Sequence, residues 1–174
     1  MTTSARIAFV DESRRTNRYL LACAVLEVRH ANDIRRQLRA LVVAPKRRIH
    51  FGSELDSRRR LLLAHFDQLP IEVHVTADVI AAHQREHQTR ARLLGALIAQ
   101  LQTDNVTRLV IESRDGRDHD DQAVIQRTRA ATPPLVYEHS TPADEPLLWL
   151  PDAYAWAVGR GPDWSHLVAK TLRA

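Results

Sequence analysis

The sequence predicts an α/β domain: a mixed five-stranded sheet flanked by helices, with a helical insertion after the second strand. Three observations predict it. Two apolar runs near the start are separated by only a short turn, which marks an antiparallel pair. Stretches of helical and of extended apolar patterning then alternate to the end of the chain, which marks strands joined through helices. No repeat, low-complexity tract or linker-like stretch interrupts the chain, so residues 1–174 read as a single domain.

Ile7-Ala8-Phe9-Val10 reads as a buried strand stopped by the acidic pair Asp11-Glu12, and residues 14–17 as a turn. Residues 19–28 are apolar enough for a central strand. Across residues 31–43, Ile34, Leu38, Leu41 and Val42 follow helical spacing, with Asn32 or Asp33 as N-cap and Pro45 as the stop. Ile49-His50-Phe51 reads as a short extended piece, and residues 53–69 as a helix stopped by Pro70. Together these form the insertion. In residues 71–79, Ile71, Val73 and Val75 alternate with Glu72, His74 and Thr76, the period of a half-buried strand. Residues 81–102 carry Leu93, Leu94, Leu97, Ile98 and Leu101 as a helical stripe. A strand at 107–111 ends in Glu112. A helix at 120–129, a strand at 135–139 and a helix at 150–159 complete the order.

Hydrophobic residues are 44% and charged residues 26% of the chain, which is globular usage and excludes a disordered profile. No apolar run reaches the roughly 18 residues of a membrane span, and no secretory leader is visible at the start. Cys23 is the single cysteine, which excludes an internal disulfide and a thiolate metal cluster. A cytoplasmic setting is the expectation. The net charge of +4 is carried mainly by arginine, whose planar fork suits phosphate; it permits a nucleic-acid partner without establishing one.

Acidic residues recur at the ends of elements that this topology brings together. Asp11 closes the first strand, Glu112 closes the strand at 107–111, and Asp152 opens the final helix. In open sheets with parallel neighbours, ligand sites form outside the strand carboxyl ends. Carboxylates gathered there repel one another unless cations occupy the cluster. Hard ions such as Mg²⁺ or Mn²⁺ prefer such oxygen ligands, and a pair of them can drive phosphodiester cleavage. Taken singly, each acid is equally a turn former or a helix cap.

The segments Phe9-Val10-Asp11-Glu12-Ser13, Arg48-Ile49-His50-Phe51 and Leu150-Pro151-Asp152-Ala153-Tyr154-Ala155-Trp156-Ala157-Val158 resemble the bacterial proteins grouped as domain of unknown function 3800. The resemblance implies an RNase H-like fold. It also implies that Asp11 and Asp152 match motif acids and that Glu112 stands for the acid after the fourth sheet strand. Two departures are visible: Arg14 follows Ser13 where the family usually has glycine, and Leu148-Trp149-Leu150-Pro151 stands where a glutamine often precedes the helix. The fourth acid of an RNase H site comes from the first long helix after the three-stranded hairpin, where Glu86 is the candidate. His50 recurs in the resembling family and is a candidate to orient a substrate phosphate, a packed structural role being the alternative.

Glu12 points away from Asp11 if the strand continues, which favours a surface or salt-bridge role. Arg14, Arg15, Arg47 and Arg48 are candidate phosphate contacts if they share a rim with Asp11, whereas Arg58-Arg59-Arg60 reads as a solvated face. His83 and His87 have zinc-compatible spacing but no third ligand. The oxygen-rich run Asp115 to Asp121 reads as a solvated turn capping the next helix, from which Asp115 or Asp121 is within conceivable reach of a metal.

Three functions follow as expectations. The first is a metal-dependent nuclease acting on RNA or DNA through Asp11, Glu112 and Asp152. The second is a non-catalytic RNase H-like module of a defence or mobile-element system, binding nucleic acid or protein. The third is a structural partner protein using apolar surface around Trp149, Trp156 and Trp164.

Overall fold

A computed structural model describes residues 4–80 and 86–173. β1 (Arg6–Arg15) and β2 (Arg18–Glu27) form an antiparallel hairpin across a two-residue turn, Thr16-Asn17. The acidic pair therefore does not stop the first strand. Asp11, Glu12 and Ser13 pair with Ala22, Leu21 and Leu20, so the apolar partner strand satisfies their backbone and carries β1 on to Arg15.

α1 (Val28–Ala40) follows β2 directly and buries Ala31, Ile34 and Leu38. Neither Asn32 nor Asp33 caps it. Glu27 holds the N-cap position, while Asn32 accepts from Arg35 and Asp33 from Arg36 and Gln37, one turn along. The helix ends at Ala40, well before Pro45. Residues 49–51 form no strand: Phe51–Ser53 is a single 3-10 turn leading to α2 (Asp56–Phe66).

β3 (Ile71–Val79) pairs antiparallel with β2 at the sheet edge. α3 (Glu86–Thr103) then leads to β4 (Val106–Glu112), parallel to β1. α4 (Asp118–Thr128) leads to β5 (Val136–Ser140), parallel to β4. α5 (Trp149–Arg160) and the short α6 (Pro162–Ser165) close the chain. The strand order is β3-β2-β1-β4-β5, the mixed five-stranded sheet expected from the sequence.

Alternation along β1 divides the core in two. Ile7 and Phe9 pack with α1, α2 and α5, while Ala8 and Val10 pack with α3 and α4. Phe9 is wholly buried, and a side chain of its kind contributes about 1.5–3 kcal/mol by leaving water. The same alternation delivers Asp11 to the α5 face and Glu12 to the α3 face. Trp149 and Trp164 are 2% and 6% exposed and belong to the α5-side core. Trp156 meets Phe51 and Trp164 edge-on, at 5.3 and 4.9 Å. The tryptophans thus pack within the fold instead of forming the outward surface expected of a partner protein. Among the described residues no helix is long and apolar enough to cross a membrane.

Candidate active site

Val10 is level with Ile111 in the parallel pair, so the next residues, Asp11 and Glu112, stand side by side at the same end of the sheet. α5 crosses that end and places Asp152 in its first turn, anchored by the buried Ala153, Tyr154 and Ala155 that follow. The segment Arg48-Ile49-His50 forms the opposite wall. Asp11, Glu112, Asp152, Arg48 and His50 line one cavity of about 270 Å³.

Crowding governs the electrostatics here. The Asp11 carboxyl is held well above its usual range by burial first, then by the charges of Glu112 and Asp152. Glu112 is raised as well, again chiefly by burial, with Arg48 acting in the opposite direction. The Asp11 and Glu112 side chains hydrogen-bond each other, and Asp11 accepts a further bond from the Glu12 N–H at 2.7 Å. Asp152 accepts from the Phe51 N–H at 3.0 Å, and its Oδ2 lies 3.6 Å from His50 Nδ1. That carboxylate raises the His50 pKa above the ordinary imidazole value.

Three hard oxygen donors with a surplus of negative charge fit a divalent cation such as Mg²⁺ or Mn²⁺ by chemistry. They do not yet surround one point. Among the described residues no three His, Cys, Asp or Glu side chains stand grouped to hold a metal ion. The reason is visible: Asp11 and Glu112 bond each other, and Asp152 is turned to Phe51.

The other candidates disperse. Glu86 pairs with Arg14 at 3.1 Å and lines a separate pocket with Tyr19 and Arg90 on the α3 face, away from the three acids. Arg47 is exposed and outside the cavity wall. Arg15 turns to α5, where its Nη2 donates to the Trp156 carbonyl at 3.2 Å. Arg58 and Arg59 are not a solvated face: Arg58 bonds the Leu41 carbonyl, and Arg59 bonds the Phe51 and Gly52 carbonyls at 2.9 and 2.7 Å. His83 lies outside the described residues, and His87 is exposed. Asp115 is exposed in the loop after β4, where Asp118 accepts from Ser113 Oγ at 2.6 Å and from the Arg114 N–H at 2.7 Å.

Sequence reasoning missed a buried ionic network beneath the site. Arg90 grips Asp121 with parallel bonds of 2.8 and 2.7 Å, donates to Tyr19 Oη at 2.9 Å and pairs with Glu12. Arg114, which also borders the cavity, adds a bond to Asp121 at 2.9 Å. Burial works against both charges. The bonds from Arg90, supported by His139 and Arg114, nonetheless hold Asp121 below the usual carboxylate range, and Asp121 and Glu12 hold Arg90 above its own. The available signal was Arg90's place three and four residues before Leu93 and Leu94, on the buried stripe of α3.

A scan against protein-family models finds no match, and neither does a search of curated proteins. Solved structures do match. Ribonuclease HII from Archaeoglobus fulgidus, determined in complex with PCNA, superposes with a TM-score of 0.62 at 14% identity, over 94% of this chain and 77% of that one. Ribonuclease H2 from Pyrococcus horikoshii OT3 gives 0.58 at 14%, over 87% and 70%. Bst-RNase HIII, in complex with Mn²⁺, gives 0.55 at 12%, over 89% of this chain and 52% of that one. At such identity the likeness is one of architecture: the chain has an RNase H-like fold.

Proposed function

We propose that the chain is a divalent-metal-dependent nuclease, with Asp11, Glu112 and Asp152 as its metal-binding acids and Mg²⁺ or Mn²⁺ as the metal. We propose further that it is a divergent member of the group gathered as domain of unknown function 3800. The observation that carries the reading is the meeting of carboxylates from β1, β4 and α5 in one cavity of an RNase H-like fold. All three segments that bear the resemblance border this cavity, through Asp11, through Arg48 with His50, and through Asp152.

Bound there, such an ion supplies activation of water and stabilisation of the leaving oxygen. The chain's own residues prepare the site for it. Asp11 and Glu112 offer adjacent oxygens at the same end of the sheet. The Phe51 N–H fixes Asp152, and Arg48 offers positive charge to a phosphate at the cavity wall. The like charges that raise Asp11 supply the driving force for cation uptake.

Hydrolysis of generic RNA, DNA and hybrid substrates with Mg²⁺ or Mn²⁺ is the test. Wild type is expected to cleave, and Asp11→Asn to be slower by about a hundredfold or more. Equal rates would overturn the reading. One observation favours the second reading, a non-catalytic binding module: Asp11 and Glu112 satisfy each other, and among the described residues no three donors surround one point. That reading predicts salt-sensitive binding that survives Asp11→Asn and no hydrolysis by either protein.

A further inference from the structure

Two tracks lead away from the acids. On β1, Ser13 and Arg15 follow Asp11 on the same face of the strand. On α5, Trp156 and Arg160 follow Asp152 at successive four-residue steps. Strand rise puts Arg15 about 13 Å beyond Asp11, and helix rise puts Arg160 about 12 Å beyond Asp152.

The tracks meet around Trp156. The guanidinium carbons of Arg15 and Arg160 lie 5.8 and 5.9 Å from the Trp156 ring, with Arg59 at 4.3 Å. Gly159 permits this approach, because a Cβ there would stand 2.8 Å from Arg15 Nε.

Among the described residues neither Arg15 nor Arg160 has an ion pair, and the buried Nε of Arg15 has no hydrogen-bond partner. Burial first, and then the Arg160 guanidinium, disfavour the charged form of Arg15. The Trp156 carbonyl occupies one of Arg15's donors and leaves the rest of the fork open. Arg59 is different: Asp56 and two carbonyls engage all three of its nitrogens, and Asp56 answers its charge, so it serves as a wall. A buried unpaired donor beside a second like charge is what an anion relieves, and a planar fork fits phosphate.

We propose that Arg15 and Arg160, set around Trp156, form a second anion site that takes a backbone phosphate of a nucleic-acid strand leaving the carboxylate cavity along α5. The proposal rests on the nucleic-acid reading above. A strand of duplex carries one charge per roughly 3.4 Å of axis, so this span reaches about three or four phosphates from the cavity.

The experiment is salt-titrated binding of a labelled RNA–DNA hybrid in chelator, where cleavage plays no part. Arg160→Gln removes an exposed head with little risk to the fold, and Gly159→Ala displaces Arg15 while keeping every charge. The slope of log affinity against log salt is expected to fall by about 0.9 for Arg160→Gln and about 1.8 for Arg15→Gln with Arg160→Gln. Gly159→Ala is expected to weaken binding at low salt. Wild-type slopes in the single and double arginine variants overturn the proposal, as does a wild type that does not bind the hybrid. Inorganic phosphate is the second arm: arginine-dependent binding of phosphate without binding of the hybrid means a free-anion site and also overturns it. The nuclease reading fails separately, if Asp11→Asn cleaves like wild type.

Discussion

The Asp11 and Glu112 side chains hydrogen-bond each other across the parallel β1–β4 pair, side by side at the centre of the sheet's end. Asparagine at position 11 would reproduce that bond through its amide NH₂ and still accept from the Glu12 N–H. Asp11→Asn is therefore expected to fold with equal or greater metal-free stability. The sign with pH follows from the raised carboxyl. Its contribution is fully present below the ordinary carboxyl value of 3.8 and is lost as pH rises through the elevated folded-state value. Urea denaturation should show wild type losing stability relative to Asp11→Asn from acid towards neutral pH; parallel profiles would contradict this.

Cation binding should reverse that loss. An ion bound by the folded state alone stabilises it by about 2.7 kcal/mol at a hundredfold excess over its dissociation constant. Thermal melting with Mg²⁺ or Mn²⁺ should shift upward in wild type and not in Asp11→Asn. The shift should also shrink in acid, because protons compete for the same oxygens. An equal shift in the variant would place the ion elsewhere.

The Arg90–Asp121 pair makes a stability prediction independent of chemistry at the cavity. Both side chains are 2% exposed, so solvent screening is slight. Asp121→Asn leaves Arg90 and Arg114 short of a counter-charge, and removing one partner of such a pair costs about 3–5 kcal/mol. Since Asp121 is depressed, its contribution is present above 3.8 and lost as pH falls through its lower folded-state value. Urea titrations of wild type and variant at neutral pH measure the cost, and a difference below about 1 kcal/mol would mean that water already reaches the network.

The strands were legible as apolar runs, or at β3 as strict alternation, and four of the five lie within a residue or two of their expected ends. β1 is the exception. Its polar second half, from Asp11 to Arg15, is held in the sheet by pairing with β2, and long-range pairing leaves no trace in local hydropathy. Residues 49–51 failed the other way. Ile49 and Phe51 are buried and alternate like a strand, but Phe51 spends its N–H on Asp152 instead of a sheet neighbour. Of the site, the three acids came from topology. Arg48 came from its basic run as well as from the resemblance, and His50 only through the resemblance, because a cavity wall contributed by a loop has no periodicity to read. The demotion of Glu12 to a salt-bridge role was also legible, from strand alternation, although its partner Arg90 was not.

Cys23 tests the central sheet itself. It lies in β2 between partners on both sides, Val10 of β1 and His74 of β3, and is 1% exposed. Burial pushes its thiol up to about 12, so thiolate is scarce at neutral pH and no reagent reaches it in the folded state. Exposing it requires parting a central strand from its neighbours, an event close to global unfolding. Labelling by a small thiol reagent should accordingly be slow, and its rate should rise with urea as steeply as global unfolding does. Rapid labelling with a shallow urea dependence would show that the β2–β3 edge opens by itself, and that the hairpin carrying Asp11 is less firmly held than its pairing indicates.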